Sequence, residues 1–364
     1  MGLRSQLRRV PAIAWRDDRI AELRRSEKEL QGQLRRAERR LEQARGRLAE
    51  VEGDLDRAQA RLNSRKYSPK EPSWHIRIME QARMGRFLST LDTAREYPRR
   101  RLLEKLHNYQ LARSYGVATP RVIGSWEQIG QVPFGDLPET FVLKSNRGYS
   151  GNGVLPLRRS GEAFTFIDSD VAITAQEIVE HYEGSRGLAA PYFAEEILPG
   201  TGAVLPDDVK IYAFYGEVVD VMLRRVTRHN DIGSYSYRFL DEHGRDRGQV
   251  RNKDRPVSDD IAVPRDLDHM VAVAKVLSRA VPVPFVRVDL YQVPDGVMLG
   301  ELTPLPGSSE TFSTEHDRLL GRAYDEAEAR LSLDFARGRP YAVVLGPHDP
   351  DVTTPMTARR TLPA

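Results

Sequence analysis

Two carboxylates, Asp289 and Glu301, lie in the stretch FVRVDLYQVPDGVMLGELTPLPGSS, residues 285–309. Each sits inside an apolar run, and a Pro-Asp-Gly turn separates the runs. In an extended strand alternate residues share a face. Arg287 therefore falls beside Asp289 and Thr303 beside Glu301, while Val286, Val288 and Leu290 pack on the opposite side. Folded as a hairpin, the two acids would repel each other unless a cation lies between them. A hard divalent ion such as Mg2+ suits that position, because it takes one or two carboxylates and completes its shell with phosphate oxygens and water. Arg287 would then stabilise charge developing on a reacting acyl or phosphoryl centre. The competing reading is structural: Asp289 pairs with Arg287 alone and Glu301 faces solvent.

Three further stations carry chemistry-bearing residues. In ETFVLKSNRGYSGNGVLPL a buried strand delivers Lys144, and a turn with Gly148, Gly151 and Gly153 follows. Glycines let backbone N–H groups converge on an anion, and a lysine beside them adds charge, so the segment reads as a polyphosphate cradle. It lacks the GxxxxGK[ST] and GxGxxG spacings, and turn geometry alone accounts for such glycines equally well. In PYFAEEILPG a strand ends in Glu195 and Glu196, before Ile197 and Leu198. Downstream, Asp208 and Lys210 share a strand face; the acid could accept hydrogen bonds from a ribose diol and the lysine could meet a phosphate, or the two form an ordinary ion pair. The segment LRRVTRHNDIGSYSYRF offers Arg224, Arg225, Arg228, His229 and Arg238 as a clamp for an anionic substrate, or as a solvated basic loop.

The elements that position these residues are legible in outline. VKIYAFYGEVVDVMLRRV reads as two strands around a Tyr-Gly-Glu turn, PFVRVDLY…GEL as a hairpin, and DHMVAVAKVLSRAV as an amphipathic helix. Strands and helices without strict βαβ alternation predict an α+β body. Ahead of it, Ile20, Leu34, Leu41, Leu48, Leu55 and Leu62 alternate with Leu23, Leu30, Ala37, Ala44, Val51 and Ala58 in a heptad that Glu27 alone interrupts. About six heptads with Arg and Glu on the flanks predict a coiled coil, most simply with a second copy of the chain; a helix folded back on its own body is the alternative. The expected divisions are a basic arm over 1–15, the coiled coil over 16–66, a helical region over 67–118, two halves of the body over 119–190 and 191–340, and a flexible Pro- and Thr-rich tail over 341–364.

Composition sets limits. The chain has 364 residues, 40% hydrophobic, and no cysteine, which excludes disulfides and thiolate metal sites. No apolar run is long enough for a membrane span and the N-terminal apolar stretch is too short for a signal-peptide core, so a cytoplasmic protein is expected. The net charge of +3 hides an asymmetry: residues 1–66 hold 18 basic and 11 acidic residues, and the remainder 37 and 41. That surplus suits an anionic membrane face or nucleic acid, but a solvated Arg-rich helix is the simpler reading, and no nucleic-acid partner is expected.

In this order the stations resemble the ATP-grasp superfamily, and within it the TupA-like group linked to teichuronopeptide and other amide-bearing cell-surface polymers. The residues that carry the resemblance are EKLHNYQLA, DLPETFVLKSNRGYSGNGV, AEEIL, DDVKIYAFYGEVVDV and PFVRVDLY…GELTPLPGSS. The resemblance implies an α+β ATP-grasp fold of two subdomains gripping ATP. It implies that Lys105 and Lys144 meet the ATP phosphates and that residues 145–153, including Ser145, Gly148, Ser150, Gly151 and Gly153, form the phosphate loop. It also implies that Glu195, Glu196 and Ile197 lie at the hinge beside adenine, and that Asp208 with Lys210 lies near the ribose and phosphates. Asp289 and Glu301 become Mg2+ ligands, Arg287 the arginine that steadies a tetrahedral intermediate, and Gly307, Ser308 and Ser309 substrate contacts. Thr303 stands where many members carry an asparagine, so one or two Mg2+ ions are implied. The usual preceding α/β domain is replaced by the coiled coil and a short helical region.

The implied reaction joins a carboxylate to an amine through an acyl phosphate, releasing ADP and phosphate. The alternatives carried by the same residues are a phosphotransferase that uses ATP without an amine, and a coiled-coil scaffold with a degenerate nucleotide fold.

Overall fold

The computed structural model describes residues 11–66, 71–91, 97–148, 151–161, 163–167, 171–199, 206–226, 235–251, 257–307 and 311–356. The chain divides into two compact units, residues 1–68 and 69–364.

The first unit is one helix, α1 (Pro11–Lys66). It begins at a proline, whose fixed φ suits the first helical position. The expected helix started at residue 16, so it extends five residues further. Leu23, Leu30, Leu34, Leu41 and Leu48 are all more than half exposed, at 54 to 61%. The heptad seam thus stands uncovered along this stretch. The side chains of Leu55, Ala58 and Leu62 lie outside the described residues, as does the arm over 1–10. Among the described residues no helix is long and apolar enough to cross a membrane.

The second unit is an α+β body built on two antiparallel sheets. The six-stranded sheet comprises β1 (Val122–Trp126), β2 (Thr140–Arg147), β3 (Val154–Ser160), β4 (Ala163–Phe166), β5 (Ala172–Ile173) and β6 (Ala189–Glu195), in the order β1-β6-β2-β3-β4-β5. The five-stranded sheet comprises β7 (Asp208–Phe214), β8 (Glu217–Val226), β9 (Tyr235–Leu240), β10 (Val286–Val293) and β11 (Gly296–Thr303), in the order β11-β10-β7-β8-β9. Because β6 pairs with both β1 and β2, the first sheet closes at Glu195 and not at the expected boundary of 190. The β7–β8 turn is made by Tyr215 and Gly216, with φ of 45° and 96°. Two consecutive positive φ values match the right-handed twist of the flanking strands.

Helices α2 (Trp74–Leu88), α3 (Pro98–Arg101) and α4 (Lys105–Ser114) precede the sheets. Helix α5 (Ala175–Gly184) starts with a Thr174/Glu177 capping box and buries Ile178 and Tyr182 in the core of the six-stranded sheet. Helix α6 (Leu267–Ala280) presses Met270, Ala274 and Leu277 onto Val209, Ile211, Val221 and Leu223 on one face of the five-stranded sheet. On the opposite face, α2 and α7 (Thr314–Ala336) bring Trp74, Leu320 and Tyr324 against Tyr212, Phe214 and Phe285. Val209, Ile211 and Ala213 face one side of β7 and Tyr212 and Phe214 the other, with the charged pair Asp208 and Lys210 on that second face, and all seven residues are buried.

The expectation of a loose tail from residue 341 does not describe residues 341–356. This segment is hydrogen-bonded as a strap: Val344 N–H to Ala280 O at 2.9 Å, His348 N–H to Ser114 O at 2.9 Å and Val122 N–H to Val352 O at 3.1 Å. Proline and threonine mark the absence of helix or sheet, which an extended segment bonded to other elements also satisfies.

Candidate active site

The β10–β11 hairpin sets Asp289 directly opposite Glu301, and Arg287 opposite Thr303. All four side chains share one face. Arg287 grips Asp289 with two parallel bonds, Nε to Oδ1 at 2.7 Å and Nη2 to Oδ2 at 2.9 Å. Its Nη2 also donates to Thr303 Oγ1 at 3.3 Å and lies 3.8 Å from Glu301 Oε1. The next strand, β7, places Lys210 opposite Asp289, and its ammonium donates to Oδ2. Asp289 is therefore shared by two cations, the buried Lys210 and the half-buried Arg287. Burial acts to raise its carboxyl, but Arg287 and Lys210 outweigh that and hold it below the usual carboxylate range.

One step further along the sheet, Tyr291 lies opposite Asp208, and Asp208 opposite Arg224. Arg224 Nε donates to Asp208 Oδ2 at 2.6 Å, and Lys210 Nζ is 3.7 Å from the same oxygen. Burial pushes the Asp208 carboxyl up, yet Lys210 and Arg224 hold it well below its ordinary range. A register shift follows Asp289, at Gly300. A Cβ at Gly300 would meet the Tyr291 ring at 2.7 Å, so only glycine lets that ring lie over the strand.

The six-stranded sheet supplies the second half. Lys144 on β2 pairs with Glu195 at the end of β6, and its Nζ donates to Tyr109 Oη at 3.1 Å. Tyr109 is fully buried on α4 and donates in turn to Glu195 Oε2 at 2.8 Å. Burial and the adjacent Glu195 push the Tyr109 hydroxyl well above its ordinary range, so it remains a neutral donor. Lys105 opens α4 and is only 6% exposed. Burial holds it below the ordinary lysine range, Glu301 and Glu195 pull it up, and the like charge of Lys144 pushes it down. It thus lies among charged groups of both sheets. The start of α4 is fixed to both: Leu106 N–H donates to Asn146 Oδ1 on β2 at 3.0 Å, and Asn108 donates to Leu302 O on β11 at 3.4 Å.

The cluster holds five cations (Lys105, Lys144, Lys210, Arg224, Arg287) and four carboxylates (Glu195, Asp208, Asp289, Glu301), a surplus of one positive charge. Such a surplus, largely withdrawn from water, attracts a polyanion. Among the described residues no group of three acids or histidines is arranged to hold a metal. The donor set nevertheless fits a Mg2+ ion that arrives with phosphate oxygens: Glu301 is the half-exposed acid of the set, at 38%, and Thr303 Oγ1 lies 3.2 Å from its Oε1. Asp289, directly opposite, is the second carboxylate, already neutralised by protein cations.

Other expected residues are placed as follows. Ser145 Oγ donates to Ala189 O at 3.1 Å and accepts from Ala189 N–H at 2.9 Å, stitching β2 to β6. The glycine turn is closed by Ser145 N–H to Gly153 O at 2.9 Å, and Gly148, Gly151 and Gly153 all have positive φ. Glu196 is half-buried and accepts from Arg121 N–H at 2.9 Å, and Ile197 is half-buried beside it. Arg225 is not brought to the cluster: it faces away from Arg224 and binds Asp207 at 2.8 Å. Arg238 likewise bonds Asp246, at 2.9 Å. Gly307 is exposed. Ser150, Arg228, His229, Ser308 and Ser309 lie outside the described residues. Sequence reasoning missed Tyr109, Asn108, Asn146 and the pairing role of Arg224. The signal for Tyr109 was its position four residues after Lys105, on the same helix face.

Against known proteins, a family model described as TupA-like ATPgrasp matches residues 86–325, about two thirds of the chain. Among solved structures, D-alanine–D-alanine ligase from Bacillus anthracis is 15% identical, with a TM-score of 0.41 over 64% of this chain and 69% of that one. The ATP-grasp ligase PsnB, complexed with a phosphomimetic variant of its minimal precursor, Mg and ADP, is 18% identical with a TM-score of 0.34 over 65% of this chain and 61% of that one. D-cycloserine synthetase DcsG is 16% identical with a TM-score of 0.41 over 69% of this chain and 80% of that one. No curated protein matches the chain.

Proposed function

The chain belongs to the TupA-like ATP-grasp family, and on that footing we propose that it is an ATP-dependent carboxylate–amine ligase forming an amide bond, with ADP and phosphate as the other products. The observation that carries this reading is the meeting of Lys105 and Lys144 with Arg287, Asp289 and Glu301 in one largely buried cluster drawn from both sheets.

In this reading Lys105 and Lys144 hold the phosphates of ATP, and Lys144 exchanges its contact with Glu195 for a phosphate oxygen. Asp208 and Lys210 lie on the ribose and phosphate side, and the segment from Glu195 to Ile197 borders the base. Glu301, Thr303 and Asp289 would hold Mg2+, which supplies charge neutralisation to the transferring phosphoryl group. A substrate carboxylate takes the γ-phosphoryl group of ATP, giving an acyl phosphate and ADP. An amine then attacks the acyl carbon, phosphate departs with the C–O electron pair, and the proton lost from the amine nitrogen passes to the released phosphate. Arg287, held in plane by Asp289, faces the oxygen on which negative charge accumulates. These steps ask for positioning and electrostatics rather than side-chain proton transfer. The α1 seam, uncovered in the single chain, supports pairing with a second copy through a coiled coil.

The test is a screen of sugar acids, amino acids and short peptides against amines with ATP and Mg2+. ADP release that requires both a carboxylate and an amine is expected. ADP release with an acceptor and no amine would replace the ligase by a phosphotransferase, and no ATP use under any pairing would leave a scaffold.

A further inference from the structure

The strap over residues 341–356 lies beyond the span that the family model matches, yet it is built into the body by hydrogen bonds to α6, α4 and β1. Its anchor is Arg113, 3% exposed on α4, which donates through Nη1 to Thr354 O at 2.7 Å and to Asp351 O, and through Nε to Thr119 Oγ1 at 2.7 Å. Gly346 runs so close to the end of α4 that a Cβ there would meet Ser114 O at 2.3 Å. Val352 accepts from Val122 N–H, so the strap also borders the outer strand β1.

The last described residue of the strap, Met356, packs against a small buried cluster of Ala118, Leu198 and Val293, against which Tyr291 and Met298 also pack. Leu198 directly follows the Glu195–Ile197 segment. Tyr291 is two residues from Asp289 and opposite Asp208. Ala118 is tied to β11 by Leu299 N–H to Ala118 O at 2.8 Å. Tyr291, Met298 and Met356 are each half-buried, so this apolar cluster keeps an accessible surface immediately beside the cations and acids. A flat aromatic base attached to a polyphosphate needs such a neighbour: a tyrosine ring and polarisable thioethers pack against a π-face without demanding hydrogen bonds.

We propose that Met356, carried by the C-terminal strap, forms part of the wall against which the nucleotide's base packs, so that a segment outside the family-matched span sets nucleotide affinity. This inference rests on the ATP-binding reading given above. The strap contributes apolar contact to the base and none to the phosphates. That division separates a base contact from a merely structural one, because a loosened fold weakens every ligand alike.

The experiment is calorimetric binding of Mg·ATP and of inorganic triphosphate to the full chain and to Met356→Ala and Met356→Leu. Met356→Ala is expected to weaken ATP binding roughly five- to tenfold, the size of losing part of one side chain's apolar burial, and to leave triphosphate binding unchanged. Met356→Leu, of similar volume, is expected to remain within about twofold of the wild type for both ligands. Unchanged ATP binding in Met356→Ala, or equal weakening of ATP and triphosphate, overturns the role of the strap alone. A wild-type chain that binds neither ligand overturns the ATP-binding reading, and the strap's role with it.

Discussion

One face of the five-stranded sheet has two ends of opposite character, although the same strands run through both. At one end Tyr212, Phe214 and Phe285 meet Trp74, whose ring centroid lies 4.7 Å from Phe285 and 5.9 Å from Phe214. At the other end, two residues along the same strands, stand Lys210 and Asp208 on β7 and Arg287 and Asp289 on β10. The aromatic end is covered by α2 and α7 and gains from burial. The charged end is just as buried for Asp289 and Lys210, at 3 and 4% exposure, but each charge there is kept only by its opposite. Buried pairs of this kind contribute little to stability against apolar replacements, and removing one partner is destabilising. The same sheet face thus carries an apolar, stabilising end beside a charged end.

The comparison breaks most readily at Asp289. Asp289→Asn removes the carboxylate that Lys210 and Arg287 share, leaving them only the longer contacts to Asp208 and Glu301, and is expected to cost about 3–5 kcal/mol of stability as well as ATP turnover, read by denaturant unfolding and ADP release. The stability cost follows from the sharing of one buried acid by two cations. Trp74→Ala tests the other end. It is expected to cost about 3–5 kcal/mol in the same unfolding measurement while ATP affinity stays at its wild-type value. Glu301→Gln sharpens the contrast from the charged side. Its half-exposed side chain leaves the unfolding midpoint unchanged, while Mg2+-dependent turnover drops about a hundredfold or more.

The smallest effect expected is a pH dependence. Burial holds Lys105 below the ordinary lysine range. The folded chain therefore releases this proton before the unfolded one does. The burial cost is full below the folded pKa, and stability rises with pH between the folded and the unfolded values. ATP affinity should move the opposite way, falling as Lys105 loses its charge at a pH below the ordinary lysine range. Lys105→Arg, which stays charged, removes that fall; an identical profile in the variant assigns the titration to another group.

The sequence shows the local parts of this arrangement better than their partners. Alternation places Arg287 beside Asp289 and Thr303 beside Glu301, and the hairpin confirms both pairings because strand period and turn are local properties. The β8 arginines show the limit. Alternation separates Arg224 from Arg225 but does not tell which face meets Asp208; pairing with β7 decides it. Glu195 looked like a hinge residue at a strand end, yet its side chain turns to Lys144 and Tyr109, a contact set by the approach of α4, which lies 86 residues earlier at Tyr109. The strap was unreadable for a related reason: its hydrogen bonds go to α4, α6 and β1, so no period inside the segment records them. In α1 the helix itself is plain in the sequence, because its heptad period is a local property, and the leucines of that heptad stand exposed in the single chain.

In the proposed reading Lys105 and Lys144, from different elements, close on one polyphosphate together with the Arg287–Asp289–Glu301 face. Calorimetric titration of ATP into the full chain, with and without Mg2+, and into Lys144→Ala, tests it most directly. Binding is expected to be strengthened by Mg2+ in the wild type and to fall by at least about tenfold in Lys144→Ala, the range for losing a charge-assisted contact. Equal affinity in the variant, or binding indifferent to Mg2+, would contradict it.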